Sequence, residues 1–289
     1  MQLTPTAIFS SDNFIRWTIM WFLIFIFMPS LAFGQKPEDR FTEIRGKRQH
    51  ILDVGTGTPA VVFVSGFGDR VSSWMTVQRK IAESTRTISY DRAGLGESQM
   101  LGANRSLDTI VHELNEILTL ENVKPPYILV GHSYGGHIIR YFAHKHPANV
   151  VGLVLVDPTV EFMQEEFRRR KDPSDARRYD SLSEHWSDPN WSDGVRREAE
   201  FFKSNNNAIK NIPYNKDIPT TVISGMISAK PDLMFLEGIN EMKIALHKQW
   251  VTDSPHIKHV LATKSGHYVQ FDEPELVIQE VNRLLKVKR

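Results

Sequence analysis

From residue 60 to the carboxyl end two hydrophobic patterns take turns. Unbroken apolar runs, "AVVFV" (60–64), "YILV" (127–130) and "VVGLVLVD" (150–157), have the length and β-branched content of strands buried on both faces. Between them lie stretches whose apolar residues recur every three or four positions. Ile110, Leu114, Ile117 and Leu118 form one such face behind a Ser106 cap, and Pro125 and Pro126 end that helix ahead of "YILV". A helix is predicted over 72–83, a short strand at "TISYD" (87–91), and a helix after "YILV" with Ile138, Ile139 and Phe142 inward. The alternation resumes with strand "PTTVIS" (219–224), a helix around 238–250, strand "HIKHVLA" (256–262) and a last helix from Pro274. Upstream, "FTEIRGKRQHILDVG" reads as an amino-terminal hairpin turning near Gly46. This alternation predicts an α/β fold with a mostly parallel central sheet flanked by helices on both faces.

Residues 160–216 depart from the pattern. They are rich in charge and aromatics, carry helical stretches and contain no convincing strand. The segment is expected to be a mainly helical cap or lid, inserted between a first core part (35–159) and a second (217–289). Its Phe162, Phe167, Trp186, Trp191, Phe201 and Phe202 fit two roles, lining a site for an apolar acyl or aryl group or packing the lid onto the core.

The amino terminus has its own character. Arg16 precedes "WTIMWFLIFIFM", followed by Pro29 and small residues at Ala32 and Gly34, the order of a secretory signal peptide over 1–34. Residues 17–33 also reach the lower edge of membrane-spanning length, which leaves a membrane anchor as the alternative. Either reading places the rest of the chain outside the cytosol, secreted or periplasmic in the first case. A membrane partner is then expected only if the segment stays uncleaved. "NRS" at 104 and "NWS" at 190 are glycosylation sequons.

Composition mostly removes options. The formal net charge of +1 gives no electrostatic case for nucleic acid. With no cysteine there is no disulfide, thiolate nucleophile or cysteine-ligated metal. "HELNE" at 112 lacks the second histidine of a zinc motif, so neither a metal site nor a cofactor is expected.

One corner carries chemistry. "LVGHSYGGHIIRYF" (129–142) passes from strand to helix through Gly131-His132-Ser133-Tyr134-Gly135, the context in which G-x-S-x-G signifies a nucleophile elbow. Gly131 and Gly135 are small because a tight corner leaves their neighbours no room for a side chain. Ser133 then stands at the carboxyl edge of the sheet and at a helix amino terminus. A base is also required, and His267 lies between the last predicted strand and the last helix, at the same edge. The backbone N–H groups of Tyr134 and of Phe67, in "VSGFGD", are the candidate oxyanion donors.

These motifs together resemble the α/β-hydrolase superfamily over 41–289: "VSGFGD", "DRAGLGES", "GHSYGG" and "SGHYVQFDEPELV" follow in the family's order. Ser65 stands where that family usually has histidine, which is expected to alter loop bonding more than chemistry. The resemblance implies that Asp91 and Arg92 brace loops. It also implies an acid partner for His267, either Asp157 after "VVGLVLV" or Asp232 beyond "TTVISG", with Asp157 preferred and Glu161 and Glu237 as outsiders. The expected activity is a serine hydrolase acting on a small ester, less readily an amide, through an acyl-enzyme. Serine at the elbow argues against dehalogenase and epoxide hydrolase chemistry, which resemble this pattern but attack through aspartate. Carbon–carbon hydrolysis, aminopeptidase action, cofactor-free peroxidase chemistry and a non-catalytic ligand-binding role stay open.

Overall fold

The computed structural model describes residues 38–184, 188–213, 215–227, 238–252 and 254–287. Eight strands run in the chain order β1 (Asp39–Ile44), β2 (Lys47–Val54), β3 (Ala60–Val64), β4 (Thr87–Tyr90), β5 (Tyr127–His132), β6 (Val150–Val156), β7 (Thr220–Gly225) and β8 (Ile257–Ala262). The helices among the described residues are α1 (Met75–Ala82), α2 (Leu107–Leu120), α3 (Tyr134–Lys145), α4 (Met163–Arg170), α5 (Pro173–Glu184), α6 (Asp193–Lys210), α7 (Ile239–Val251), α8 (Val269–Asp272) and α9 (Pro274–Leu285).

Strand β3 is the clearest case of why the sheet sits inside. All five residues are buried. Val61 and Phe63 pack with Trp74, Val77 and Ile81 around α1 and with Val277 and Val281 of α9. Val62 and Val64 point the other way, into the cluster holding Leu114 of α2 and Ile138 of α3. Alternate residues therefore serve two helical layers, as the two-residue strand period demands. At about 1.5–3 kcal/mol for each large apolar side chain buried, this packing contributes much of the sheet's stability.

The sheet order is β1-β2-β4-β3-β5-β6-β7-β8. β1 and β2 pair antiparallel, as do β2 and β4, while every pairing from β4 through β8 is parallel. The order reverses at β3, since the chain leaves it for β4 on one side and returns to β5 on the other. In open α/β sheets ligands bind at such a switch, beyond the carboxyl ends of the strands. Register brings those ends level: Val64 lies opposite Gly131, His132 opposite Val156, and Gly225 opposite Ala262. The segments after β3, β5, β6 and β8 consequently share one edge.

The expected mostly parallel sheet is present. Three details differ from the sequence reading. β5 runs on to His132, because ladder pairing with β6 continues to the elbow. The helix expected over 72–83 is a 3₁₀ turn (Val71–Ser73) followed by α1. The short α8 was not anticipated, being too brief to show a helical period. Between β6 and β7 the described residues form α4, α5 and α6 and no strand. Residues 1–34, Trp186, Asp232 and Glu237 lie outside the described residues. Among the described residues, no helix is long and apolar enough to cross a membrane.

Candidate active site

Ser133 occupies the one-residue corner between β5 and α3 with φ 50° and ψ −119°, a backbone shape that side-chain-bearing residues rarely adopt. Such a residue costs on the order of 1–3 kcal/mol and persists where its surroundings leave no alternative. Here they leave none. A Cβ on Gly131 would sit 2.6 Å from the Gly135 carbonyl oxygen, and one on Gly135 would sit 2.3 Å from that of Val64. Ser133 N–H donates to Val156 O (3.0 Å), and Ser133 O accepts from Gly136 N–H (2.9 Å) and Thr159 N–H (3.1 Å). The Ser133 hydroxyl lies 3.5 Å from Thr159 Oγ1, and it makes no hydrogen bond to His267.

Asp157 follows β6 directly and is also held at positive φ (40°). Its buried carboxylate gathers three donors. Oδ1 accepts from Gly225 N–H at 2.9 Å, while Oδ2 accepts from His267 Nδ1 at 2.7 Å and from Lys243 Nζ at 2.7 Å. Burial pushes this carboxyl upward, but the His267 hydrogen bond and the Lys243 charge outweigh it and hold the group down at about 2. With Nδ1 committed to the carboxylate, Nε2 is the nitrogen of His267 left for substrate chemistry. His132, buried in the elbow, donates from Nε2 to the His267 carbonyl at 2.9 Å and packs its ring 4.6 Å from that imidazole. Burial lowers the His132 pKa, keeping that ring neutral.

The loop after β3 meets the elbow from the opposite side. A Cβ on Gly66 would stand 3.3 Å from Ser133 Cβ, so Phe67, the next residue, lies beside the serine. Arg92 fixes this loop by donating to Ser65 O and Gly66 O, both at 2.7 Å. Asp91 accepts from Val71 N–H and Glu97 N–H, so "DRAGLGES" braces loops as the resemblance implied. Ser65 Oγ donates to Arg70 O within the same loop. Tyr134 opens α3, and the first-turn position of its N–H leaves that group without an intrahelical acceptor.

Helix α6 grips both sides. Glu198 accepts from Arg92 Nε at 2.5 Å, from Nη2 at 2.9 Å, and from Gly68 N–H at 3.1 Å. Asn205, two turns on, donates to the Tyr134 hydroxyl at 2.7 Å. Phe202 lies between them, 5.9 Å from the Phe67 ring and 5.3 Å from that of Tyr134. Of the other aromatics in this segment, Trp191 sits 5.6 Å from Phe67, and Phe167 is buried and stacked on Tyr179. Phe167, Trp191 and Phe202 thus make packing contacts, while Phe162 is exposed.

Of the residues singled out in the sequence, the structure brings Asp157 to His267 and places Ser133, Phe67 and Tyr134 at the same sheet edge. Glu161 is engaged by the Arg140 guanidinium at 2.8 and 2.9 Å, which accounts for its carboxylate without a histidine. Among the described residues, no group of histidines and acids suits a metal ion. Lys243, His132 and Glu198 were missed. A lysine in "NEMKIALHKQW" reads as a solvated helix face, and a glutamate in "RREAEFF" as surface charge. His132 alone carried a signal, its place inside the elbow pentapeptide.

A mostly parallel eight-stranded sheet with a serine on a strained strand-to-helix corner defines an α/β hydrolase architecture. The alpha/beta hydrolase family model matches residues 61–280, and the chain belongs to that family. The uncharacterised protein YqjL of Bacillus subtilis is 29% identical over 229 residues, spanning 77% of this chain and 82% of that protein. In fold, the chain is similar to the Cif epoxide hydrolase from Acinetobacter nosocomialis (TM-score 0.63, 15% identity, 99% of this chain and 100% of that one). It is also similar to a thermophilic esterase from Thermogutta terrifontis (TM-score 0.57, 20% identity, 88% and 98%).

Proposed function

We propose that the chain is a serine hydrolase that cleaves a carboxylic ester through an acyl-enzyme, with Ser133 as nucleophile, His267 as base and Asp157 as its orienting acid. The observation that carries this reading is the 2.7 Å bond from His267 Nδ1 to the buried Asp157, at the sheet edge that presents Ser133. The carboxylate selects the tautomer whose Nε2 accepts a proton. Nε2 takes the Ser133 proton as the serine oxygen attacks the ester carbonyl, and the oxyanion is held by the N–H groups of Tyr134 and Phe67. The imidazolium returns its proton to the leaving alcohol. Water then repeats both steps and releases the acid. Catalytic hydrogen bonds are often long before substrate binds, so the Thr159 contact fits a resting serine that turns toward His267 on substrate binding.

The substrate we propose is a small ester with an apolar acyl or aryl group, and the site is extracytoplasmic, delivered by residues 1–34. A fluorophosphonate probe tests the chemistry: it should label the wild type and leave Ser133→Ala unlabelled. A p-nitrophenyl ester panel graded by acyl length then reads pocket depth. Asp157→Asn should lower kcat by about 10⁴-fold with the fold intact, and Asp232→Asn should not. A folded wild type that never labels would point instead to a ligand-binding role on the same fold.

A further inference from the structure

Asp157 Oδ2 is contested. His267 Nδ1 and Lys243 Nζ each reach this one oxygen at 2.7 Å, and the carboxylate has no exposed surface. The lysine is not a swinging surface charge. Helix α7 turns Asn240, Lys243 and His247 toward the carboxyl ends of β6 and β7, and the two flanking residues are themselves anchored. Asn240 Nδ2 donates to Met226 O at 3.1 Å, and His247 Nε2 donates to Pro158 O at 2.9 Å. His247 Nδ1 then accepts from the Ser224 hydroxyl at 2.7 Å, and that hydroxyl accepts from His259 Nε2 at 2.8 Å. The helix is thus locked in register against the acid, and its lysine side chain is only 18% exposed.

An orienting acid normally gives its negative charge to the imidazolium that forms beside it. A fixed cation on the same oxygen takes part of that charge away. We propose that Lys243 is a positioning residue that sets the charge of the Asp157–His267 pair through their shared oxygen, and with it the acid limb of the reaction's pH profile. The inference rests on the serine-hydrolase reading above. The other charged or titratable groups around the pair are His247 from α7, His132 from β5, Asp69 from the loop after β3, and Tyr268 and Asp272 from α8 and its approach. His247 and His132 are buried and kept neutral by that burial, and Asp69 lies 3.7 Å from His132 Nδ1. Asp272 is spent on Gly266 N–H at 3.1 Å. Among the described residues, Lys243 is the one cationic side chain bonded to Asp157.

The test needs no known substrate. The rate of Ser133 labelling by a fluorophosphonate is measured against pH for the full chain and for Lys243→Met, Lys243→Gln and Lys243→Arg, each checked for fold by circular dichroism. Losing the charge should move the acid limb of the profile up by about one pH unit in the Met or Gln variant. The Arg variant should keep the wild-type limb. A structural role alone would lower the rate at every pH and leave the limb in place. A folded Met or Gln variant whose limb does not move, or an Arg variant that moves as far as they do, overturns the proposal. Should the wild type fail to label at all, it is the serine-hydrolase reading that falls.

Discussion

Arg92 and Glu198 form a buried, two-pronged ion pair that ties helix α6 to the loop beside Ser133. The guanidinium is 1% exposed and the carboxylate 0%, with contacts at 2.5 and 2.9 Å. Arg92 also donates to Ser65 O and Gly66 O, and Glu198 also accepts from Gly68 N–H. The pair therefore links helix α6 to the loop beside Ser133 from both of its side chains.

Breaking the pair from one side should be severe. Glu198→Ala leaves a desolvated guanidinium without its counter-charge, a loss on the order of 3–5 kcal/mol. The paired replacement Arg92→Met with Glu198→Met removes both charges and should recover much of that loss. Thermal melts of the wild type and the two variants check this. A double variant as unstable as Glu198→Ala would show that the loop bonds of Arg92 matter more than the pairing.

Strain at Ser133 yields a second expectation. Glycine adopts the Ser133 backbone shape without cost, whereas alanine keeps the strain. Both substitutions delete the hydroxyl, so their difference isolates the backbone. Ser133→Gly should be more stable than Ser133→Ala by about 1 kcal/mol, with no esterase activity in either. Chemical denaturation of both proteins provides the measurement.

Acid should weaken the fold in two stages. Burial drives His137 and His247 down to about 4 from the ordinary 6.5. Between those values the unfolded chain binds protons that the folded chain refuses, so stability falls as pH drops from about 6.5 to 4. Asp157, held at about 2 against an ordinary 3.8, adds a second loss as pH falls from about 4 to 2. Melting temperatures followed downward from pH 7 should decline from pH 6.5. His137→Asn, which removes one refused proton, should flatten the first stage.

The fold was largely legible because its signals are local. Strand β3 is five consecutive buried residues, and α2 carries its apolar stripe behind the Ser106 cap, whose hydroxyl accepts from Thr109 N–H. The elbow was legible for the same reason: the glycines that make the corner possible lie within two residues of Ser133. Asp157 was preferred over Asp232 on the strand it follows, and it is the acid bonded to His267.

The sequence by itself determined the order of strands and helices, the corner that carries Ser133, and the candidates His267 and Asp157, because each of these rests on residues near one another along the chain. Only the tertiary structure decided that Lys243 would share an oxygen with His267, that Glu198 would be sealed against Arg92, and that His132 would hold the carbonyl of His267. Those partners are 86, 106 and 135 residues from the groups they meet. A charge that will be buried and one that will stay in water look alike in one dimension, and the packing of helices α6 and α7 against the sheet edge is what separates them.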